Sequence, residues 1–519
     1  MKKYISVIVF ATQSIFLGFG QTNPMFSNLP VGKYAVGFRI VTLTDSSRVT
    51  KPLYNYFGEK ETGDRYQRIS IHIWYPAKSN TGNGVLNYND YCYNYLLSST
   101  FEQIDEERRS GMVNSMRNSF EGFFGKIKDE EWQRVLSTKM LAQKEAIPLP
   151  EKFPLLIGEL RPLSTTVTNE MMASNGYVVA MAVSTSGRIP LGYIADVTDM
   201  QHTIAYLAGT GLIDENSIGT YGFSGSGFPQ VLLAMNDPRI GALADIESAL
   251  YGEGIWKLFS SSNYYDISKL RVPFLHIYGK YLGLSDVKFD EFLNTRYSHR
   301  YHLLLNQSRL HHWDVATEGR ASTTVVHFRG DLEQGVKASF ELANLYLLHF
   351  FNAALKKEQP SKRLLDNKFA IEGYNDTLWS IRQYPALQPP PDKLQFEELI
   401  KRKGIDEAIT LARHFRKVDS TADFIHENAL NHVSQILQEK NKLKDGIELM
   451  HLATEFYPDR AWLWRNLSGM QEADGDINGA IQSCEKVLEL LKDIEVTGLS
   501  FDQRIKRSAM ETLKRLKKN

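Results

Sequence analysis

Cysteine is scarce in this chain, and neither sign of charge predominates. The 519 residues include two cysteines, while Lys+Arg and Asp+Glu each total 60. Cys92 and Cys484 fall in regions that we predict to be different domains, and neither has metal-ligand spacing. We therefore expect two buried thiols rather than a disulfide or a metal site. The balanced charge gives no global field that would attract nucleic acid or an anionic membrane surface.

Long apolar runs are also rare. Beyond the N-terminus, no segment has the ~18 uninterrupted apolar residues that are needed to span a bilayer. The chain begins with Lys2 and Lys3, followed by a largely apolar run over residues 4–19 and by Gly20. This pattern predicts a secretory signal peptide over residues 1–20, with an N-terminal membrane anchor as the alternative. The mature protein is then expected to be exported, periplasmic or secreted, with no transmembrane segment.

A serine in the middle of the chain lies in a pattern typical of a sharp strand-to-helix turn. Residues 218–223 read as a short buried strand and residues 229–235 as a helix, with Ser224 between them. A nucleophile elbow of this kind holds a serine hydroxyl clear of the sheet in α/β-hydrolases. We expect Gly222 and Gly225 to tolerate the strained backbone of the turn. Ser226 stands where the usual pattern has a second glycine.

The segments around this turn alternate between strands and helices. We predict strands over residues 153–158, 177–183, 218–223, 239–247, 272–278 and 302–305, the last of the sheet, and helices over 169–175, 196–208 and 342–355. This alternation indicates a mostly parallel, doubly wound sheet that is covered on both faces. Residues 31–44 and 68–75 are predicted to form a half-exposed edge hairpin. A helical insert, about residues 91–145, follows it as either a cap over the site or a side lobe.

A proline cluster divides the chain near residue 390. Pro385, Pro389, Pro390 and Pro391 indicate a stiff linker over residues 385–394, which separates a hydrolase domain, residues 21–384, from an all-helical region, residues 395–519. In the second region, Leu430 and Val433 recur 34 residues later as Trp464 and Leu467. This period resembles the tetratricopeptide repeat, and an unrelated helical bundle is the alternative. Such repeats offer a surface for a protein partner.

An acyl-transfer triad needs an acid and a histidine after the nucleophile in this fold. The candidate acids at strand ends are Asp245, Glu247 and Asp286. The candidate bases are the adjacent His311 and His312, which follow the last predicted strand.

Several motifs together resemble one branch of the α/β-hydrolases. Val36-Gly37-Phe38-Arg39, Ile73-Trp74-Tyr75-Pro76-Ala77, the elbow and Leu347-Leu348-His349-Phe350-Phe351 look like the platelet-activating-factor acetylhydrolase and dienelactone-hydrolase-like branch. The resemblance to the acetylhydrolases implies Glu247 as the acid, with Asp245 two residues earlier on the same side of the strand. Resemblance to the dienelactone-hydrolase-like members would instead imply Asp286. His311 matches the family histidine, with His312 as the reserve.

The oxyanion hole departs from the family pattern. The family usually has His-Gly after the strand at residues 153–158, whereas this chain has Glu159-Leu160-Arg161-Pro162-Leu163-Ser164. A straight alignment puts Pro162, which has no N–H, at the position of one donor. Gly225 can supply the other, and a shift of one residue would let Leu163 or Ser164 donate. Arg161 is either a surface residue or a binding group for an acidic part of a substrate.

The sequence therefore predicts a serine hydrolase that cleaves an ester of a small acyl group. Ser224 attacks, His311 transfers the proton, Glu247 holds the histidine, and Gly225 and Leu163 stabilise the oxyanion. This chemistry needs no cofactor and no metal. Two rivals remain open: a peptidase that cuts short peptides, and a hydrolase-fold binding protein that has lost turnover and works through its repeats.

Overall fold

A computed structural model gives the three-dimensional structure of the chain. It describes residues 23–518 except 51, 80–83, 102–103, 161–163, 184–189, 249–261, 263, 281–294, 308, 368–369, 390 and 419–424. The predicted signal peptide, residues 1–20, lies outside the described residues, as do Arg161, Pro162, Leu163 and Asp286. The chain divides into two compact units, with the boundary between Leu387 and Gln388.

One mixed sheet, with eleven strands in the described residues, forms the centre of the first unit. In chain order these are β1 (Ala35–Val49), β2 (Tyr66–Ala77), β3 (Val85–Asn87), β4 (Lys139–Lys144), β5 (Phe153–Leu160), β6 (Val178–Val183), β7 (Ile213–Phe223), β8 (Ile240–Ile246), β9 (Phe274–Gly279), β10 (Arg300–Leu305) and β11 (Trp379–Tyr384). The spatial order is β11-β10-β9-β8-β7-β5-β6-β2-β1-β4-β3. Strands β5 to β10 are mutually parallel, whereas β2 and β11 run antiparallel to β6 and β10.

The central strands owe their position to continuous apolar sequence. Every residue of β6 is buried, as expected for a parallel strand with helices on both faces. Strand β5 pairs with β6 on one side and with β7 on the other, so the chain reverses its direction of winding between β5 and β7. Ligands of open α/β sheets bind at the carboxyl ends of strands beside such a reversal. The topology is that of an α/β-hydrolase, which confirms the predicted fold class.

Helices cover both faces of the sheet. They are α1 (Tyr88–Thr100), α2 (Glu106–Phe124), α3 (Asp129–Ser137), α4 (Thr166–Ser174), α5 (Pro190–Ala208), α6 (Gly227–Asn236), α7 (Thr317–Thr324), α8 (Glu333–Ala354) and α9 (Gln359–Asp366). One apolar cluster joins the sheet to α1, α4 and α8, and a second joins its other face to α5 and α6. Both cysteines are buried free thiols, as predicted. No helix among the described residues is long and apolar enough to cross a membrane.

Three predicted details of the sheet are wrong. Strand β2 is not at an edge, because it pairs with both β1 and β6 and is buried from Ile69 to Ala77. The insert is not helical to its end, because Lys139–Lys144 forms β4 beside β1 and extends the sheet. Strand β10 is not the last, because β11 pairs with it.

The second unit is all-helical in its described residues. Its helices are α10 (Lys393–Lys403), α11 (Ile405–Val418), α12 (Glu427–Glu439), α13 (Leu443–Phe456), α14 (Ala461–Asp474), α15 (Ile477–Leu490) and α16 (Phe501–Leu516). Helices α12 and α14 begin 34 residues apart, and so do α13 and α15. Gly446 has no room for a side chain, because a Cβ there would lie 2.9 Å from the carbonyl oxygen of Ser434. A small residue thus allows α12 and α13 to approach closely.

A buried carboxyl anchors the insert to the rest of the first unit. Glu170 of α4 is fully buried and accepts hydrogen bonds from the Tyr91 hydroxyl of α1 and, at 2.6 Å, from the Leu141 N–H of β4. The Tyr91 hydroxyl in turn accepts the indole N–H of Trp74 at 2.9 Å. Burial raises the pKa of Glu170 to about 7, although its hydrogen bonds favour the charged form.

This raised pKa predicts a pH-dependent stability that Glu170→Gln removes. Above its ordinary pKa, 4.5, the carboxyl ionises more readily in the unfolded chain than in the folded one. Stability is therefore intact below about pH 4.5, falls as the pH rises to about 7, and stays lowered beyond, by about 3 kcal/mol in all. Between pH 4.5 and 8, the free energy of unfolding measured by urea denaturation should fall by about 3 kcal/mol more in the wild type than in Glu170→Gln. Equal losses in the two proteins would contradict the role of this carboxyl.

Candidate active site

Ser224 lies on a strained turn between strand β7 and helix α6. Its φ is +57°, a left-handed conformation that a residue with a side chain adopts at a cost of about 1–3 kcal/mol. The residue is partly exposed, whereas Phe223 before it and Gly227 after the turn are buried. Such strain is characteristic of functional turns, and it carries the serine to the carboxyl end of β7, next to the topological reversal.

Close packing explains which glycines this turn requires. A Cβ at Gly222 would lie 2.7 Å from the carbonyl oxygen of Ser226, and one at Gly227 would lie 2.6 Å from Ser248 Oγ. Gly225 is not among the residues of positive φ, so the strain predicted for it falls on Ser224 itself. Ser226, which stands where the usual pattern has glycine, is buried. The position without room for a side chain is the next one, Gly227, which approaches Ser248 closely.

Glu247 follows strand β8 directly and is held in a second left-handed conformation. Its φ is +51°, its N–H donates to the carbonyl oxygen of Ile277 at 2.8 Å, and its side chain is buried. Its Oε2 lies 3.9 Å from Nδ1 of His312. The two left-handed residues therefore end two adjacent parallel strands, β7 and β8, one with a hydroxyl and the other with a carboxylate.

Asp245, the alternate acid, has a different partner. Its side chain is fully buried and hydrogen-bonds to Nδ1 of His276 on strand β9, whose ring stacks on Tyr278 at 4.8 Å. Asp245 and Glu247 were predicted on the same side of the strand, but the left-handed turn at Glu247 breaks the alternation, and the two carboxylates face different histidines. Asp286, the other alternate, lies outside the described residues.

The adjacent His311 and His312 have different environments. His311 Nδ1 accepts the N–H of Trp313 at 3.3 Å, and its Nε2 lies 3.1 Å from the carbonyl oxygen of Phe123, in helix α2 of the insert. A neutral ring satisfies both contacts with its single proton on Nε2. His312 instead lies against Phe223, with ring centroids 4.7 Å apart, and directs Nδ1 towards Glu247. The described structure thus places Glu247 beside His312, whereas His311 lies against the insert, with its Nε2 3.8 Å from Oδ1 of Asp314.

A buried ion pair fixes the loop that carries both histidines. Asp314 accepts the backbone N–H of His311 at 2.9 Å and a guanidinium N–H of Arg329 at 2.8 Å. Burial raises the pKa of Asp314 even though both donors favour its charged form. Sequence reasoning missed this pair. The segment His311-His312-Trp313-Asp314 does carry a recognisable capping signal, because an Asp side chain can accept the backbone N–H of the residue three positions before it. Arg329 has no local signal, since it lies fifteen residues away.

Of the two predicted oxyanion-hole donors, Gly225 and Leu163, only Gly225 lies among the described residues. Gly225 follows the nucleophile at the start of the turn into α6, where backbone N–H groups are free of helical partners. Ser164 is buried, and its carbonyl oxygen accepts the N–H of Thr317 at 2.8 Å. Leu163, the other predicted donor, and Arg161 lie outside the described residues. The described residues contain no group of three His, Cys, Asp or Glu side chains that could hold a metal ion.

Comparisons with known proteins give little further information. No protein-family model and no curated protein sequence matches the chain. Among solved structures, a ferulic acid esterase from Streptomyces cinnamoneus is similar at 17% identity with a TM-score of 0.46, over 68% of this chain and 97% of that one. The fold assignment therefore rests on the strand order described above, and the chemistry on the residues of this chain.

Proposed function

We propose that the first unit is a serine hydrolase that cleaves an ester of a small acyl group, with Ser224, His312 and Glu247 as its triad. The observation that carries this proposal is that Ser224 and Glu247 both have positive φ at the ends of adjacent parallel strands, while His312 directs Nδ1 towards Glu247 and packs on Phe223, the residue before Ser224. Backbone strain of this kind persists where the surrounding structure enforces it for function.

Each member of the triad has a distinct task. Glu247 faces Nδ1 of His312, so Nε2 is the nitrogen that takes the proton of Ser224 during attack on the ester carbonyl. His312 then returns this proton to the departing alcohol, and a water molecule hydrolyses the acyl-enzyme by the same route. Gly225 N–H, at the positive end of α6, stabilises the oxyanion, and Leu163 N–H is the proposed second donor.

His312 replaces His311 as the proposed base because of the contacts of the two rings. Both ring nitrogens of His311 are engaged, one by Trp313 N–H and the other by the Phe123 carbonyl oxygen. The Glu247–His312 separation, 3.9 Å, is longer than a hydrogen bond, and catalytic hydrogen bonds often tighten only when substrate is bound.

Two further features complete the proposal. Residues 1–20 act as an export signal, so the enzyme acts in the periplasm or outside the cell. The paired helices α12–α13 and α14–α15, with their 34-residue offset, are tetratricopeptide-like repeats that bind a protein partner. The close approach of α12 and α13 at Gly446 supports this reading.

Ester hydrolysis and active-site labelling test the proposed activity together. We expect the wild type to hydrolyse p-nitrophenyl acetate faster than p-nitrophenyl butyrate, and a fluorophosphonate to label Ser224. Ser224→Ala should lose the label and about 10⁴-fold or more in kcat. Ser226→Ala, two residues after the nucleophile and without its role, is the matched control and should keep both the label and the activity. Wild-type turnover no faster than that of Ser224→Ala would favour a hydrolase-fold binding protein.

A further inference from the structure

A continuous set of aromatic side chains leads from the nucleophile turn to the insert. Phe223, next to Ser224, lies 5.5 Å from the ring of Trp313, and Trp313 lies 4.8 Å from the ring of Phe123. His312 contacts both Phe223 and Trp313, at 4.7 and 5.5 Å. We call Phe223, Trp313 and Phe123 the aromatic strip.

The outer end of the aromatic strip is exposed to solvent. Phe123 is 42% exposed, although its neighbour Phe124 is buried against the ring of His311 and beside the guanidinium of Arg329. Isolated exposed apolar residues are common, but Phe123 is continuous with rings that reach the residue before the nucleophile. An exposed aromatic surface joined to a candidate active site is suited to stacking on a flat apolar ligand.

The chemistry of the proposed reaction assigns one side of the substrate to this surface. When the tetrahedral intermediate collapses, the carbonyl carbon–alcohol oxygen bond breaks and the proton on His312 Nε2 passes to that oxygen. The alcohol must therefore lie on the histidine side of Ser224. Trp313 adjoins His312 in sequence and space, and Phe123 lies against Trp313.

We propose that the aromatic strip binds the alcohol part of the ester and that Phe123 selects substrates whose alcohol is a flat, ring-containing group. This inference rests on the proposed function and adds the class of alcohol to it. The insert then contributes to the substrate site as a wall. The insert is held there by the hydrogen bond between His311 Nε2 and the backbone carbonyl oxygen of Phe123. Because this oxygen belongs to the backbone, replacing the Phe123 side chain does not remove it.

A series of four esters separates the alcohol side from the acyl side. Phenyl acetate and 2-naphthyl acetate have leaving groups of similar acidity but different ring area, ethyl acetate lacks a ring, and methyl 2-naphthoate puts the rings in the acyl group. In Phe123→Ala we expect KM for 2-naphthyl acetate to rise about tenfold with kcat little changed, KM for phenyl acetate to rise by a smaller factor because its single ring has less area to stack, and the constants for ethyl acetate to change less than about twofold. Phe123→Trp should retain the low KM. Phe57→Ala, which removes an exposed ring from the β1–β2 connection, is the matched control and should behave as wild type.

Three results would overturn the inference: equal KM changes for all the acetates, no change for any, or a change for methyl 2-naphthoate instead of 2-naphthyl acetate. Failure of the proposed function has a different signature, namely that wild type and Ser224→Ala hydrolyse none of the esters. In that case calorimetric binding of 2-naphthol decides the inference separately. Binding that weakens in Phe123→Ala supports the strip, and binding that is absent or unaffected refutes it.

Discussion

His312→Ala is expected to lower kcat/KM for p-nitrophenyl acetate by about 10⁴-fold or more, whereas His311→Ala lowers it by less than about tenfold. The reason lies in the contacts of the two rings. His312 faces the buried Glu247 and lies on Phe223, next to the nucleophile. His311 faces Phe123 and Trp313, so its removal loosens the insert without removing the base.

The two substitutions form a matched pair, because they remove the same side chain from adjacent positions of one loop. Steady-state rates should be measured with circular dichroism spectra that verify folding of each variant. Glu247→Gln is a third informative variant. It should lower kcat by about 10²- to 10⁴-fold, because it leaves the histidine base in place but removes the charge that stabilises the imidazolium. A larger loss in His311→Ala than in His312→Ala would return the role of base to His311.

Arg320→Met is expected to destabilise the first unit by about 3–5 kcal/mol, because it leaves Glu341 charged and buried without its partner. Arg320 of α7 is fully buried and donates to Glu341 at 2.8 Å, to the Met25 carbonyl oxygen at 3.0 Å and to the carbonyl oxygen of Ser27. One guanidinium thus joins α7, α8 and the segment before β1. Glu341 also accepts the Tyr374 hydroxyl at 2.8 Å.

An exposed ion pair in the same unit supplies the control for Arg320. Arg309 and Asp331 pair at the surface, where such contacts contribute about 0–1 kcal/mol, so Arg309→Met should change stability by no more than that. Urea denaturation of both variants measures the difference. Because Arg320→Met also leaves backbone carbonyl groups unsatisfied, the double variant Arg320→Met/Glu341→Gln should recover only part of the loss. A loss of less than about 1 kcal/mol in Arg320→Met would contradict the bridging role of this residue.

The sequence was sufficient for the parts of the site that depend on local patterns. Gly222, Ser224 and the helix that follows signal the elbow, because the turn is built from residues adjacent in the chain. The strand ends made Asp245, Glu247 and Asp286 candidate acids, and only the resemblance to the acetylhydrolases favoured Glu247 among them. The sequence could not distinguish the surroundings of Asp245 from those of Glu247, since regular strand alternation puts both side chains on one side of the strand. The left-handed conformation of Glu247 interrupts this alternation.

The choice between His311 and His312 could not be made from sequence. Both follow the same strand in the same loop, and the difference arises from two distant contacts: Glu247 on one ring and the Phe123 carbonyl oxygen of the insert on the other. Strands β4 and β11 escaped prediction for a related reason. Each is a short segment that becomes a strand only by pairing with a distant one, β1 or β10.

The most direct test is fluorophosphonate labelling of the wild type, located by mass spectrometry and compared with His312→Ala and His311→Ala. An activated serine reacts far faster than an ordinary hydroxyl, because the adjacent base removes its proton. Rapid labelling at Ser224 that is lost in His312→Ala and kept in His311→Ala is the predicted result. Absence of label at Ser224 in the wild type, or labelling that is unaffected by His312→Ala, would contradict the proposed triad.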